Sequence, residues 1–360
     1  MGRYAISVIT TLLLFLFWAI PASCLEADRW INPRDLVGDP GLVRLQMGKK
    51  ELTNIEKEEI KRYGYTGLEV MTYVDMVKYQ LWANCDEIHS CINASRWGGI
   101  RVGDVWGKRK FYLKNYLDRI AYNGIRPGDI EYKEVYITLS PPEARGNTSL
   151  GLFYLNGDGH YKEKAQWSYS VGLRKVSRLN PNHRQDNYGT MITTRDDDDS
   201  RDPWEENHSI IGEDKLKGYD CLVIESIHKD PKYYLSKRVN WVERNNFLEI
   251  HEEQFDRKGE IFKLFDKDWY QVGPGGFWAP KLTYIIKLPQ KRRTLHRTRW
   301  EFNRHKDSEF TLGALATPAV GGDEKFSHFP RVRDYSDFPQ EPAVRSEFWK
   351  KMGITIKVKE

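Results

Sequence analysis

Apolar residues recur at helical spacing before about residue 130 and at every second position after it. Recurrence at three and four marks one face of a helix, and strict alternation puts neighbouring side chains on opposite faces of a strand. The helical part opens with Thr53 and, three positions on, Glu56, the spacing of a capping box. A charged amphipathic stretch follows and stops at Gly64. Leu68 to Asn84 reads as a second helix through Met71, Val74, Met76, Val77 and Leu81. Trp97 to Val105 is glycine-rich and irregular, and Phe111 to Tyr122 reads as one more short helix, ended by Asn123-Gly124.

Beyond residue 130 the alternation predicts about ten strands. They are Ile130–Leu139, Leu150–Leu155, Ala165–Val171, Leu173–Leu179, Tyr219–His228, Tyr233–Glu243, Phe247–Phe255, Glu260–Phe265, Leu282–Leu288 and Thr294–Phe302. Their short turns imply consecutive antiparallel pairing in one large curved sheet, and no strand–helix–strand alternation suggests a Rossmann or TIM architecture. Phe247 to Phe255 carries charge on one face, so the sheet is expected to have a wet side and a dry side. Helices, or a ligand in an apolar concavity, would cover the dry side.

The first residues change the picture from a cytoplasmic protein to an exported one. Arg3, the apolar run Ala5–Ile20 and the small-residue break Pro21-Ala22-Ser23-Cys24 have the form of a secretory signal. The run is about 16 residues, short of the roughly 20 a spanning helix needs. Ala22-Ser23-Cys24 also fits the end of a lipoprotein signal, so Cys24 is a candidate for lipidation, with ordinary cleavage beside it the alternative. An oxidising compartment would let Cys85 and Cys91 close a short disulfide loop. Cys221, in an apolar strand, reads as a buried free thiol.

Composition narrows the function classes. The 360 residues hold 12 Trp, 20 Tyr and 15 Phe, too many aromatics for a disordered chain. A formal net charge of +5 spread over this length gives no nucleic-acid footprint. The sequence contains no serine-nucleophile elbow, phosphate loop or zinc-protease motif, and its nine histidines are dispersed. Catalytic residues, a metal site and a cofactor are therefore not expected. The run Arg195-Asp196-Asp197-Asp198-Asp199 reads as a solvated loop, with Ca²⁺ ligation the minor alternative. Lys291-Arg292-Arg293 reads as a solvated turn, with contact to anionic headgroups the alternative.

Two hairpin segments, Tyr234–Val242 and Gln254–Lys263, resemble the outer-membrane lipoprotein-sorting (LolA/LolB-like) superfamily, in particular its exported bacterial subfamilies of unknown function. Trp167-Ser168-Tyr169 with Leu173-Arg174-Lys175-Val176, Asp214 to Cys221, and Thr298 to Phe302 are similar to further strands of that group. Glu243 departs from it, standing where Asp is usual. The resemblance covers about residues 130–305 and implies a mainly β fold with helices: an incomplete antiparallel β-barrel capped by helices. The organisation expected is 1–24 signal peptide, 25–129 mostly helical N-terminal region, 130–305 half-barrel and 306–360 C-terminal extension. It implies a non-enzymatic carrier or chaperone in the periplasm, lipid-anchored to the outer membrane if Cys24 is acylated. Its partner would be a lipid or an acylated protein, with a membrane surface or envelope complex as further contacts. A structural role in an envelope assembly, or an exported hydrolase, are the alternatives. Alternate strand positions Trp167, Tyr169, Val239, Trp241 and Phe262 are the candidate walls of an apolar cavity.

Overall fold

The computed structural model describes residues 29–37, 51–94, 100–113, 128–140, 142–155, 162–179, 185, 192–198, 202–317 and 338–359. The signal segment and Cys24 lie outside them. Three helices come first: α1 (Pro33–Val37), α2 (Asn54–Tyr63) and α3 (Gly67–Asn84). The Thr53 capping box forms as its spacing predicts. The Glu56 N–H donates to Thr53 Oγ1 at 3.2 Å, and the Thr53 N–H donates to the Glu56 carboxylate at 2.7 Å. Thr66 and Glu69 repeat the device at the start of α3, and Gly64 ends α2 in the left-handed conformation, φ +84°.

Two antiparallel meanders make the sheet. The first is β1 (Cys85–Ala94), β2 (Ile100–Leu113), β3 (Ile130–Ser140), β4 (Thr148–Tyr154), β5 (Ala165–Ser170) and β6 (Lys175–Leu179). A single turn, α4 (Arg195–Asp198), precedes the second. This is β7 (Glu206–Leu216), β8 (Tyr219–His228), β9 (Leu235–Glu243), β10 (Glu249–Asp256), β11 (Glu260–Val272), β12 (Phe277–Lys287) and β13 (Arg292–Phe302). Pairing of β1 with β13 joins them, so the order runs β6-β5-β4-β3-β2-β1-β13-β12-β11-β10-β9-β8-β7. The short helices α5 (Leu312–Leu315) and α6 (Ser346–Lys351) follow, and β14 (Lys357–Val358) lies parallel to the start of β11. The sheet is not closed into a barrel.

Helix α3 packs against β2 and β1, against β12, and against β7 at the far edge. One helix reaches strands so widely separated only if the sheet curls around it, so the α3 side is the concave face. Gly67 permits the close approach at the β7 end: a Cβ there would lie 2.7 Å from the backbone of His208 and Ser209. Buried Glu59 fastens the junction by accepting from the N–H groups of Gly67 (3.1 Å) and Ile210 (2.7 Å). The phenol of Tyr79 donates to Glu131 of β3 at 3.1 Å.

The strands expected after residue 130 are present, but the change to strand structure comes earlier. Residues 85–113, expected within the helical region, form β1 and β2 at the centre of the sheet. Phe111 to Leu113 end β2, and the rest of the helix expected to Tyr122 lies outside the described residues. β1 hid because nearly all its side chains are buried, on both faces, which erases alternation. The wet side is likewise corrected. Glu249 to Phe255 of β10 are all buried, because α3 and α4 cover one face and the segment around α6 covers the other. The acidic run is corrected too: Asp196, Asp197 and Asp198 turn inward on α4, each onto a partner from the sheet or its loops.

Glu243 organises the β9–β10 turn. Its carboxylate accepts from the N–H groups of Asn245 and Asn246, both at 2.7 Å, while buried Phe247 takes a left-handed φ of 58° that any side chain but glycine resists. A shorter Asp would reach less far around this turn.

Candidate functional site

Helix α3 presents Val74, Lys78, Leu81 and Trp82, one stripe at helical spacing, to the concave face. Beneath them lies a cavity of about 130 Å³. One wall is apolar: Leu81 and Trp82 from the helix, Phe265 and Trp269 from β11, Ile285 from β12 and Trp300 from β13. Trp82 is stacked on Phe111 with centroids 4.7 Å apart. Two indole N–H groups of this wall are committed elsewhere, Trp269 to the Glu249 carbonyl at 2.8 Å and Trp300 to the Pro280 carbonyl at 3.1 Å.

The other wall is ionic. Arg109 of β2 pairs with Asp198 of α4 at 2.7 Å and with Glu87 of β1 at 3.3 Å. Lys263 pairs with Asp197, which also accepts from Gln254 at 2.9 Å. Lys267 pairs with Glu249, which also accepts from Asn240. Burial works against each carboxylate, but Arg109 holds Asp198 down to about 2 and Lys267 holds Glu249 down to about 2. For Glu87 burial prevails over Arg109 and pushes its carboxyl up to about 7. Burial also presses His296 down to about 4, leaving it a neutral ring with Thr193 Oγ1 2.8 Å from Nε2 and Cys91 Sγ 3.4 Å from Nδ1. Among the described residues no group of three or more His, Cys, Asp or Glu side chains is placed to hold a metal ion.

A second void of about 80 Å³ shares Val74, Lys78, Asp197, Glu249 and Lys267 with the first. It is polar, bounded by Glu206, Arg238 and His208. The pair therefore runs from an aromatic end to an ionic end, with Lys78 at the junction.

The side chains expected to line a cavity fall elsewhere. Cross-strand pairing puts Val239, Trp241, Trp167 and Tyr169 on the convex face. There Trp241 meets Phe348 and Trp349 of α6 edge to face, at 5.5 and 6.4 Å. Trp167 and Tyr169 pack on the cluster of Val135, Ile137, Phe310 and Leu315. Phe262 is half-buried at the β-bulge between β10 and β11. A one-residue difference in register exchanges faces, and alternation alone does not fix which face is inner. The true inner wall includes Arg109, Lys267, Glu249 and Asp198, which sequence reasoning passed over because charge reads as solvated.

The disulfide expectation is also corrected. Cys85 and Cys91 are buried free thiols. They stand six positions apart on one extended strand, roughly 20 Å, beyond the span of a disulfide. Cys221 is free and buried, as expected. Among the described residues no helix is long and apolar enough to cross a membrane.

Comparison with known proteins places this architecture. A search of curated protein sequences finds no match. A domain described as outer membrane lipoprotein-sorting from Vibrio parahaemolyticus superposes with a TM-score of 0.56 at 17% identity, covering 69% of this chain and 98% of that one. A DUF1329 family protein from Desulfovibrio piger gives 0.57 at 16%, covering 73% and 100%. At such identities the likeness shows the fold. A family model described as an uncharacterized protein matches residues 131–317, more than half of the chain. The chain thus has the curved-sheet fold of the lipoprotein-sorting domains, and it belongs to this family of uncharacterized proteins.

Proposed function

We propose that the protein is an exported carrier that shelters an acyl chain between α3 and the concave face of the sheet. The observation that carries this reading is the aromatic-walled cavity under α3, in a fold that it shares with a lipoprotein-sorting domain. Ligand pockets commonly measure about 300–1,000 Å³, so a cavity of about 130 Å³ takes the end of a chain and not its whole length. A full chain enters as α3 lifts. Each methylene buried there stabilises the complex by about 0.8 kcal/mol, so a chain of moderate length offsets the cost of moving the helix. A lipid or the acyl group of a lipoprotein are the cargoes this chemistry fits.

The test is titration of a fluorescent fatty acid into the parent protein and into Thr283→Phe, which fills the cavity from β12. The parent is expected to bind and the variant to lose binding. Absence of binding by the parent, together with no apolar ligand in a lipid extract of protein purified from its own envelope, would overturn the carrier reading in favour of a structural role.

A further inference from the structure

Resting on the carrier reading, we infer that Lys78 is a headgroup anchor and that the cargo is an anionic single-chain amphiphile whose carboxylate pairs with the Lys78 ammonium. The other cations lining the two voids have partners of their own: Arg109 has Asp198 and Glu87, Lys267 has Glu249 and Arg238 has Glu206; Lys263, outside the lining, holds Asp197. Among the described residues no carboxylate lies within ion-pair distance of Lys78. Its ammonium instead lies over the face of Trp82, 5.3 Å from the ring centroid. The side chain is half-buried and lines both voids.

An unpaired ammonium in such a place is costly. Burial lowers the Lys78 pKa, and Asp75, one turn back on the same helix, only partly offsets this. Evolutionary economy aside, an apolar residue would fit a helix that is otherwise buried on most sides. The position of Lys78 supplies a reason for its charge. It stands where the aromatic void meets the ionic one, so an acyl chain lying against Trp82, Trp269 and Trp300 brings its polar end to the ammonium. A carboxylate arriving there gains a charge-assisted hydrogen bond in a site with little water, and the ammonium gains the counter-ion it lacks. Of the acids nearby, Asp198 is held by Arg109, Asp197 by Lys263 and Glu249 by Lys267, which reduces their repulsion of an arriving carboxylate.

The experiment compares two probes of one chain length, dodecanoate and dodecanol, by calorimetric titration into the full chain. Three proteins are used: the parent, Lys78→Met, which keeps the stem and removes the charge, and Lys78→Arg. The parent is expected to bind dodecanoate about tenfold or more tightly than dodecanol. Lys78→Met should erase that preference while leaving dodecanol affinity unchanged, and Lys78→Arg should retain it. Equal binding of both probes by the parent, or a preference that survives in Lys78→Met, overturns the anchor. Binding of neither probe by a folded parent overturns the carrier reading itself, so the two failures are distinguishable.

Discussion

On the convex face Trp241, Phe348, Trp349 and Phe255 meet edge to face around one polar centre, in which buried His251 lies between Asp266 at 2.6 Å and Glu253 at 3.6 Å. Glu253 also accepts from the Trp349 indole at 2.7 Å and from the Arg345 N–H at 2.6 Å. That face is filled, and its polar groups tie the C-terminal segment down. The concave face buries more charge and fills less space, leaving voids at the boundary of aromatic and ionic walls. The same strands supply both faces. On one side buried charge ties the C-terminal segment to the sheet through Glu253; on the other, under the carrier reading, one cation is kept for a ligand.

The largest expected effect tests whether the faces differ in kind. Trp349→Ala should lower unfolding free energy by about 3–5 kcal/mol, whereas Lys78→Met should leave it unchanged or raise it, since it removes an unpaired charge without a cavity. Denaturant titration of both variants decides; a comparable loss for Lys78→Met would make the concave face an ordinary core. Next in size, Glu253→Gln removes a carboxylate that accepts from two N–H donors and faces the His251 ring. It should cost about 3 kcal/mol and release α6, seen as faster amide exchange in residues 345–351.

The third prediction separates the faces by pH. The Asp266 and Glu253 hydrogen bonds overcome burial and raise the His251 pKa. Its contribution to stability is full below the ordinary histidine value of about 6.5 and is lost as pH rises through its folded pKa. On the concave side, burial lowers His208 and His296 to about 4. Their contribution is present above about 6.5 and is lost as pH falls toward 4. Replacing His251 by Gln should flatten the alkaline limb of a stability–pH profile and leave the acid limb standing. The smallest effect concerns the thiols. Burial pushes Cys85 and Cys221 up to about 12 and Cys91 higher still. Alkylation of the native chain, read by peptide mapping, should leave all three unmodified, and unfolding without reductant should expose all three together. Selective protection of Cys85 and Cys91 after unfolding would restore the bridge.

Much of the fold was legible because half its strands keep one face drier than the other. Tyr219–His228 is observed with the bounds its alternation predicts, and α3 begins one residue before Leu68 and ends at Asn84. Legibility failed where burial is two-sided. Cys85–Ala94 reads neither as strand nor as helix, because polar Glu87, His89 and Ser90 are enclosed beside Ile88 and Ile92. The candidate site failed for a related reason. Lys263, at 2% exposure, is indistinguishable in sequence from a solvated lysine until Asp197, 66 positions earlier, is seen beside it. Ion pairs between distant strands leave no local pattern.

Helix α3 is held at both ends. Its first residue abuts the backbone of β7, and its last leads straight into β1 at the middle of the sheet. A guest too thick for the space therefore cannot slide the helix aside along its axis. On the proposed carrier reading, a helix lifted by a cargo pulls on both attachments, so that the girth of the cargo is converted into the separation of β7 from β1. Under that reading the molecule would act as a caliper, with the edge strand β7 and the central strand β1 as its jaws. A pair of spin labels on those two strands would read directly how far an added fatty acid spreads them.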